Sequence, residues 1–267
     1  MGFERGAPVV RHHTGRHRMG WTSWTIVAVV GLVLLPMAWQ VAAVWASDQP
    51  HWSAARWDSA GLAPDPAQHP EPIIQFYAAR TWGWRGVLGV HSWVAFKPRG
   101  ASGYTRYEVV GWGVGPGVPA VRRSQRPPDG YWAGNRPELL ADRRGEGVEA
   151  MIARLEEAVR DYPFADAYTL WPGPNSNTFT AYVARALPEL HVILPPTAIG
   201  KDYLPPGDFA ALTTGGSGVQ VSVVGVLGLS LGMREGVELN LLGLVLGLDL
   251  AHPALKLPGI GRLGLPN

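Results

Sequence analysis

The sequence predicts an α+β protein in which an N-terminal transmembrane helix precedes an antiparallel-sheet domain with packed helices. Three observations predict it. No charged residue occurs from Met19 to Ser47. Beyond residue 71, short apolar and aromatic runs bounded by Gly and Pro recur, and these are strand signals. Gly 34 and Pro 24 are high counts while charged residues are 16%, which suits a loop-rich, strand-rich body better than a helical bundle.

Residues 1–20 form a basic tail in which Arg5, Arg11, Arg16 and Arg18 face one acid, Glu4. Residues 21–46 read as the transmembrane anchor, since about 20 apolar residues span a bilayer as a helix. Trp21, Trp24 and Trp45 stand near its ends, where interfacial aromatics are expected, and Pro36 is tolerated in a membrane helix. The arginines precede the apolar run. The tail is therefore expected to be cytoplasmic and the remainder exported. A cleaved signal peptide is the rival, because Val44-Trp45-Ala46 has cleavage-like spacing. The run exceeds the roughly 7–15 residues of a signal core, which favours the anchor.

Residues 47–71 read as a linker and 72–267 as the exported α+β domain. Ile73–Ala78, Val87–Phe96 and Tyr104–Trp112 read as strands, the last two as a hairpin, with a Trp82–Gly86 turn between the first and second. Between 97 and 144 nine Lys and Arg face four acids, a local charge of +5. Arg122 and Arg123 in this interval are candidates to meet anionic head groups or an anionic substrate; a solvated loop face is the plainer alternative. Glu146–Tyr162 reads as a helix buried on the side of Val148, Met151, Ile152, Leu155 and Val159, and Pro163 stops it. Ala167–Trp171 is a short strand candidate, and Thr178–Ala186 reads as a second helix. From Val219 to Leu231 apolar residues occupy the odd positions, and alternation resumes from Val237 to Leu250. A β-hairpin over 219–250, its odd Val219–Leu231 face buried, is the expected form. The last residues, Leu257–Gly261, read as coil.

Cys is 0, which excludes disulfides, thiolate metal sites and cysteine nucleophiles. The eight His include no HExxH and no His-x-His pair, so no metal is expected, and no cofactor either. Net charge +2 with a pI near 9.0 is too mild to argue for nucleic acid.

The candidate site centres on Trp171-Pro172-Gly173-Pro174-Asn175-Ser176-Asn177-Thr178-Phe179. Asn175 or Ser176 reads as the helix N-cap. A hydroxyl at such a helix start lies beside unpaired N–H groups and the positive end of a dipole, so Ser176 could act as a nucleophile with an oxyanion site near Asn175 and Asn177. His91, within Val90-His91-Ser92-Trp93, could be its base. Glu108 is the only carboxylate on the following strand and so the candidate orienting residue. The sequence alone does not assign it to the same sheet face as His91.

Strand histidine followed by an Asn-nucleophile pair at a helix start resembles the circularly permuted papain-like superfamily over residues 87–186. That implies a permuted papain-like core in which Asn175-Ser176 takes the place of Asn-Cys. Over nearly the whole chain, Arg80-Thr81-Trp82-Gly83, Val90-His91-Ser92-Trp93, Gly173–Phe179 and Leu194–Asp202 resemble a family of bacterial membrane proteins, domain of unknown function 3750. The resemblance implies a bacterial inner-membrane location with a periplasmic domain, and no activity. Two functions stay open. One is a membrane-anchored envelope hydrolase or acyltransferase that uses the Ser-His pair on an amide or ester bond of an envelope peptide, lipid or glycan. The other is a catalytically inactive module of the same fold that binds lipid or glycan.

Overall fold

The computed structural model describes Gly2, residues 20–46 and residues 50–265. Nearly all of the basic tail, and residues 47–49 of the linker, lie outside the described residues. Helix α1, Trp21–Ala46, carries no charge in its first or last turn and contains Pro36. Its length and composition suffice for a membrane anchor or a signal sequence.

Two antiparallel sheets follow. The first has the order β4-β3-β2-β1-β5, with β1 at Ile73–Arg80, β2 at Val90–Lys97, β3 at Thr105–Val109, β4 at Val121–Ser124 and β5 at Glu138–Arg144. Strands β1 and β2 are buried along nearly their whole length, because material covers both faces of the sheet. On one face lie helices α2, Val148–Arg160, and α3, Ser176–Ala186. There Phe179, Val183 and Leu187 pack with Ile152, Leu155 and Tyr162 against Phe76, Val94 and Phe96. Each of the larger of these side chains contributes about 1.5–3 kcal/mol by leaving water. On the other face Tyr77, Trp93, Ala95 and Trp132 form a smaller cluster, with Trp57 and Leu62 against it.

Those last two residues belong to the segment expected to be a linker. Its described part is instead a strap across the sheet. Asp129, fully buried, accepts hydrogen bonds from Ser59 Oγ at 2.8 Å and from the backbone N–H of Leu62 and Ala63. Backbone bonds from Tyr131 to Asp58 and from Gly134 to Arg56 continue the attachment. Three further differences have local causes. The basic interval contains strands β4 and β5, hidden by their Arg content. Residues 83–87 form a short helical turn, so β2 starts at Val90. The stretch 167–171 is not a strand.

The second sheet is a seven-stranded meander, β6 to β12 in sequential order. Its strands are β6 Ala210–Leu212, β7 Gly218–Val223, β8 Leu227–Gly232, β9 Gly236–Leu241, β10 Leu244–Asp249, β11 Ala254–Leu257 and β12 Gly261–Gly264. Each long strand expected within 219–250 is therefore folded in two, and the stretch expected as coil, Leu257–Gly261, is the turn that joins two further strands, β11 and β12. The extra turns escape sequence reading because they are apolar. Leu242-Gly243 makes a two-residue turn with φ of 55° and 79°, and Val224-Gly225 turns with 43° and 73°. The face assignment is also reversed. Val219 is 58% exposed while Gln220 is 3% exposed, and the same inversion continues through β8 and β9. Period two separates the two faces of a strand without saying which one packs inward. Here the inner face meets a polar partner, the buried Lys201-Asp202 pair, and so the polar side is the one that packs.

Candidate functional site

Helix α3 begins where the sequence places it, and Asn175 is its cap. The Asn175 Oδ1 accepts from Asn177 N at 2.9 Å and Thr178 N at 3.2 Å, and Asn175 N donates back to Thr178 Oγ1 at 3.1 Å, a capping box. Two N–H groups expected to hold an oxyanion are thus already bonded to the Asn175 side-chain carbonyl. Asn175 Nδ2 donates to the carbonyls of Leu170 and Ile199, each at 3.1 Å. Asn177 Nδ2 donates to Val90 O at 3.0 Å and Ile199 O at 2.8 Å, while its Oδ1 accepts from Ser92 Oγ at 2.8 Å. Thr178 Oγ1 donates to Gly200 O at 2.8 Å. The conspicuous polar residues of this stretch therefore clamp β2, α3 and the 194–203 segment together. Gly200, with φ of +97°, sits against the Asn175 amide so closely that a Cβ would overlap it.

Ser176 itself is 6% exposed and follows the cap as the first helical residue. A stability comparison separates the two. Asn175→Ala is expected to cost about 2 kcal/mol, since a cap is lost and Leu170 O loses its side-chain donor while Ile199 O keeps only Asn177. Ser176→Ala is expected to cost less than about 1 kcal/mol. Thermal melts of the two variants check this, and equal costs would contradict the assignment of the cap.

The structure does not bring Ser176 and His91 together. Ser92 points to α3, so by strand alternation His91 points through the opposite face, with Trp93. What His91 meets is Glu108, Nε2 to Oε2 at 2.9 Å. The register pairs Ala95 with Arg106 and Val94 with Tyr107, which puts Arg106, Glu108 and His91 on one face. Arg106 Nη2 donates to the same Glu108 oxygen at 2.8 Å, and all three residues are buried. The His91 ring stacks on Trp132 with centroids 3.5 Å apart and 13° between planes, and Arg106 lies 4.0 Å over Trp93.

Electrostatics follow from this enclosure. Burial pushes the Glu108 carboxyl up, but the His91 hydrogen bond and the Arg106 guanidinium outweigh it and hold the carboxyl at about 2. Burial lowers the His91 pKa, and Glu108 only partly offsets that. At neutral pH the group is thus an ionised carboxylate held by Arg106 and by neutral His91. Because the carboxylate only accepts, the imidazole carries its proton on Nε2. Arg106, Trp132 and Asp129 were not among the sequence candidates. The Arg106-x-Glu108 spacing was the available signal, since residues two apart share a strand face.

Arg122 lies across the ladder from Glu108 on edge strand β4, yet its guanidinium donates to Trp112 O at 3.2 Å. Arg123 projects from the other face and donates to Thr105 Oγ1. Neither joins Ser176. Among the described residues no group of three or more His, Asp or Glu side chains is placed to hold a metal ion.

A more open site lies between the two sheets. A cleft of about 280 Å³ is lined by Arg80, Arg136, Glu138, Thr197, Lys256 and Arg262. Of its four cations Lys256 is paired with Glu238 and Arg262 with Asp249, which leaves Arg80 and Arg136 beside Glu138. Arg80 reaches across the cleft to Ile260 O at 2.7 Å. Arg136 is exposed and makes only one long bond, 3.4 Å to Ala60 O.

Residues 71–203 match the family Protein of unknown function (DUF3750). The matched DUF3750 region covers the first sheet, α2, α3 and the Lys201-Asp202 pair. It is shorter than the full-length resemblance expected from the motifs, and leaves α1 and the second sheet outside. No curated protein and no solved structure matches the chain.

Proposed function

We propose that this protein is a membrane-anchored, non-catalytic module of the bacterial envelope, with α1 in the inner membrane, its N-terminus cytoplasmic and the two-sheet body periplasmic. The observation that carries the proposal is the position of His91. Its Nε2 is engaged by Glu108 on the face of the sheet opposite Ser176, under a layer of tryptophan. A base must come within hydrogen-bond reach of the proton it takes, directly or through one water. The strand-then-helix order keeps its likeness to a permuted papain-like core, but the residues at the corresponding positions work as fasteners.

The ligand we assign is an anionic lipid head group in the cleft of Arg80, Arg136 and Arg262. The cleft adjoins the chain end that touches α1, so a head group at the bilayer surface is within reach, and juxtamembrane cations attract anionic lipid. Native mass spectrometry of the full chain in detergent with phosphatidylglycerol is expected to give a bound lipid that Arg136→Glu loses. An unliganded wild type, or a variant that keeps the lipid, rejects the assignment. A fluorophosphonate probe is expected to leave Ser176 unmodified. Labelling that depends on both Ser176 and His91 would return the hydrolase reading.

A further inference from the structure

The second sheet is inside out. On its inner face the register lines up Gln220, Ser230, Glu238, Gly247, Lys256 and Arg262 in one row across six strands. On its outer face Leu212, Val219, Leu231, Val237, Leu248, Leu255 and Leu263 make a continuous aliphatic row across all seven. Beside it run Val221, Leu229, Leu239 and Leu246, then Val223, Leu227, Leu241 and Leu244. No charged residue occurs in these outer rows. Seven strands about 4.8 Å apart make the face roughly 30 Å wide. That exceeds the apolar patches soluble monomers ordinarily carry. Polar-in, apolar-out alternation is the pattern of a sheet whose outer solvent is lipid.

We infer that this face rests in the hydrocarbon of a bilayer, so that the protein is held by the sheet as well as by α1. Two observations favour lipid over a second copy of the chain. Helix α1 packs on the 83–87 turn and touches the β11–β12 end of this sheet. The backbone of Gly259, with φ of +75°, lies where a Cβ would stand 3.6 Å from the Cα of Met37 and from the Cγ of Gln40. A helix crossing the membrane therefore holds the β11–β12 end of the sheet beside it. The rim also carries aromatics of the kind that sit at head-group level. Trp171, about half exposed, donates to Leu242 O at one end of the hairpins, and Phe209 is exposed beside β6. The inference rests on the membrane reading of α1 and is independent of the lipid cleft.

The absence of Cys makes the test direct. Single substitutions Leu229→Cys, Leu239→Cys, Ala38→Cys and Glu157→Cys are made in the full chain, labelled with a nitroxide and reconstituted in phosphatidylethanolamine–phosphatidylglycerol vesicles. Labels at 229, 239 and 38 are expected to relax faster with oxygen than with a water-soluble nickel chelate, and the label at 157 the reverse. Nickel accessibility at 229 and 239 with an oxygen-accessible 38 overturns the sheet proposal and leaves the anchor standing. Nickel accessibility at all sites overturns both. Protection from both reagents at 229 and 239, with spin–spin broadening, assigns the face to a second copy of the chain and overturns the lipid proposal.

Discussion

Replacing Glu238 with alanine is expected to cost about 3–5 kcal/mol, the cost of breaking a buried ion pair by removing one partner. Glu238 bridges two lysines inside the protein. Its Oε2 is 2.6 Å from Lys201 Nζ and its Oε1 is 2.5 Å from Lys256 Nζ, and all three residues are buried. Burial pushes the Glu238 carboxyl up, but the two ammonium groups outweigh that and hold it below the ordinary carboxylate range. Burial likewise works against the Lys201 charge, and Asp202 and Glu238 reverse the sign. Without Glu238, Lys256 keeps only the Glu235 carbonyl, and Lys201 keeps Asp202 at 3.2 Å. For a body of this size the loss corresponds to a fall in Tm of roughly 6–20 °C. Thermal melts of the full chain check it. A fall of only 1–2 °C would mean that water reaches the network and that the second sheet is loosely docked.

The second large effect is expected at Glu108. Glu108→Ala leaves Arg106 buried and uncompensated, with a cost again of about 3–5 kcal/mol. Glu108→Gln keeps the shape and gives the pH dependence. The carboxyl is near 2 when folded against an ordinary 4.5. A depressed carboxylate contributes stability that is complete above the unfolded value and lost as pH falls through the folded one. The gap between wild type and Glu108→Gln is therefore widest above pH 4.5, about 3 kcal/mol, and closes toward pH 2. His91 acts at higher pH. Its folded pKa is depressed, so below about 6.5 the unfolded chain takes up a proton that the folded one resists, and stability falls as acid is added. Denaturant unfolding of both forms between pH 3 and 8 checks the two limbs. A gap that does not change between pH 4.5 and 3 would contradict the shift at Glu108.

The same residues bear on function. A dyad of His91 and Glu108 in the open would suggest base catalysis. Here it is flanked by Arg106, stacked on Trp132 and roofed by the 52–66 strap, whose Trp57 lies edge-on to Trp132 at 5.4 Å. Removing Glu108 is accordingly expected to be felt in the melting temperature.

Local chemistry was legible in the sequence. The uncharged run predicts α1, the 3.6-residue spacing of Val148, Ile152 and Leu155 predicts α2, and Pro-Asn-Ser-Asn-Thr predicts the start of α3. These signals hold because the residues involved lie within a few positions of one another. Strand existence was legible for β1 to β3 and for the alternating second sheet. Tertiary structure alone decided which face of each strand turned inward. His91 and Ser92 are neighbours in the chain, yet one meets Glu108 and the other Asn177, because α3 covers only one side of the sheet. The aliphatic face of the second sheet is outermost because Lys201, Asp202 and Glu238 claim the other side. Period two states that two faces differ. Which one is buried depends on what the rest of the chain brings to it, and that information lies 17 to 85 residues away in the sequence.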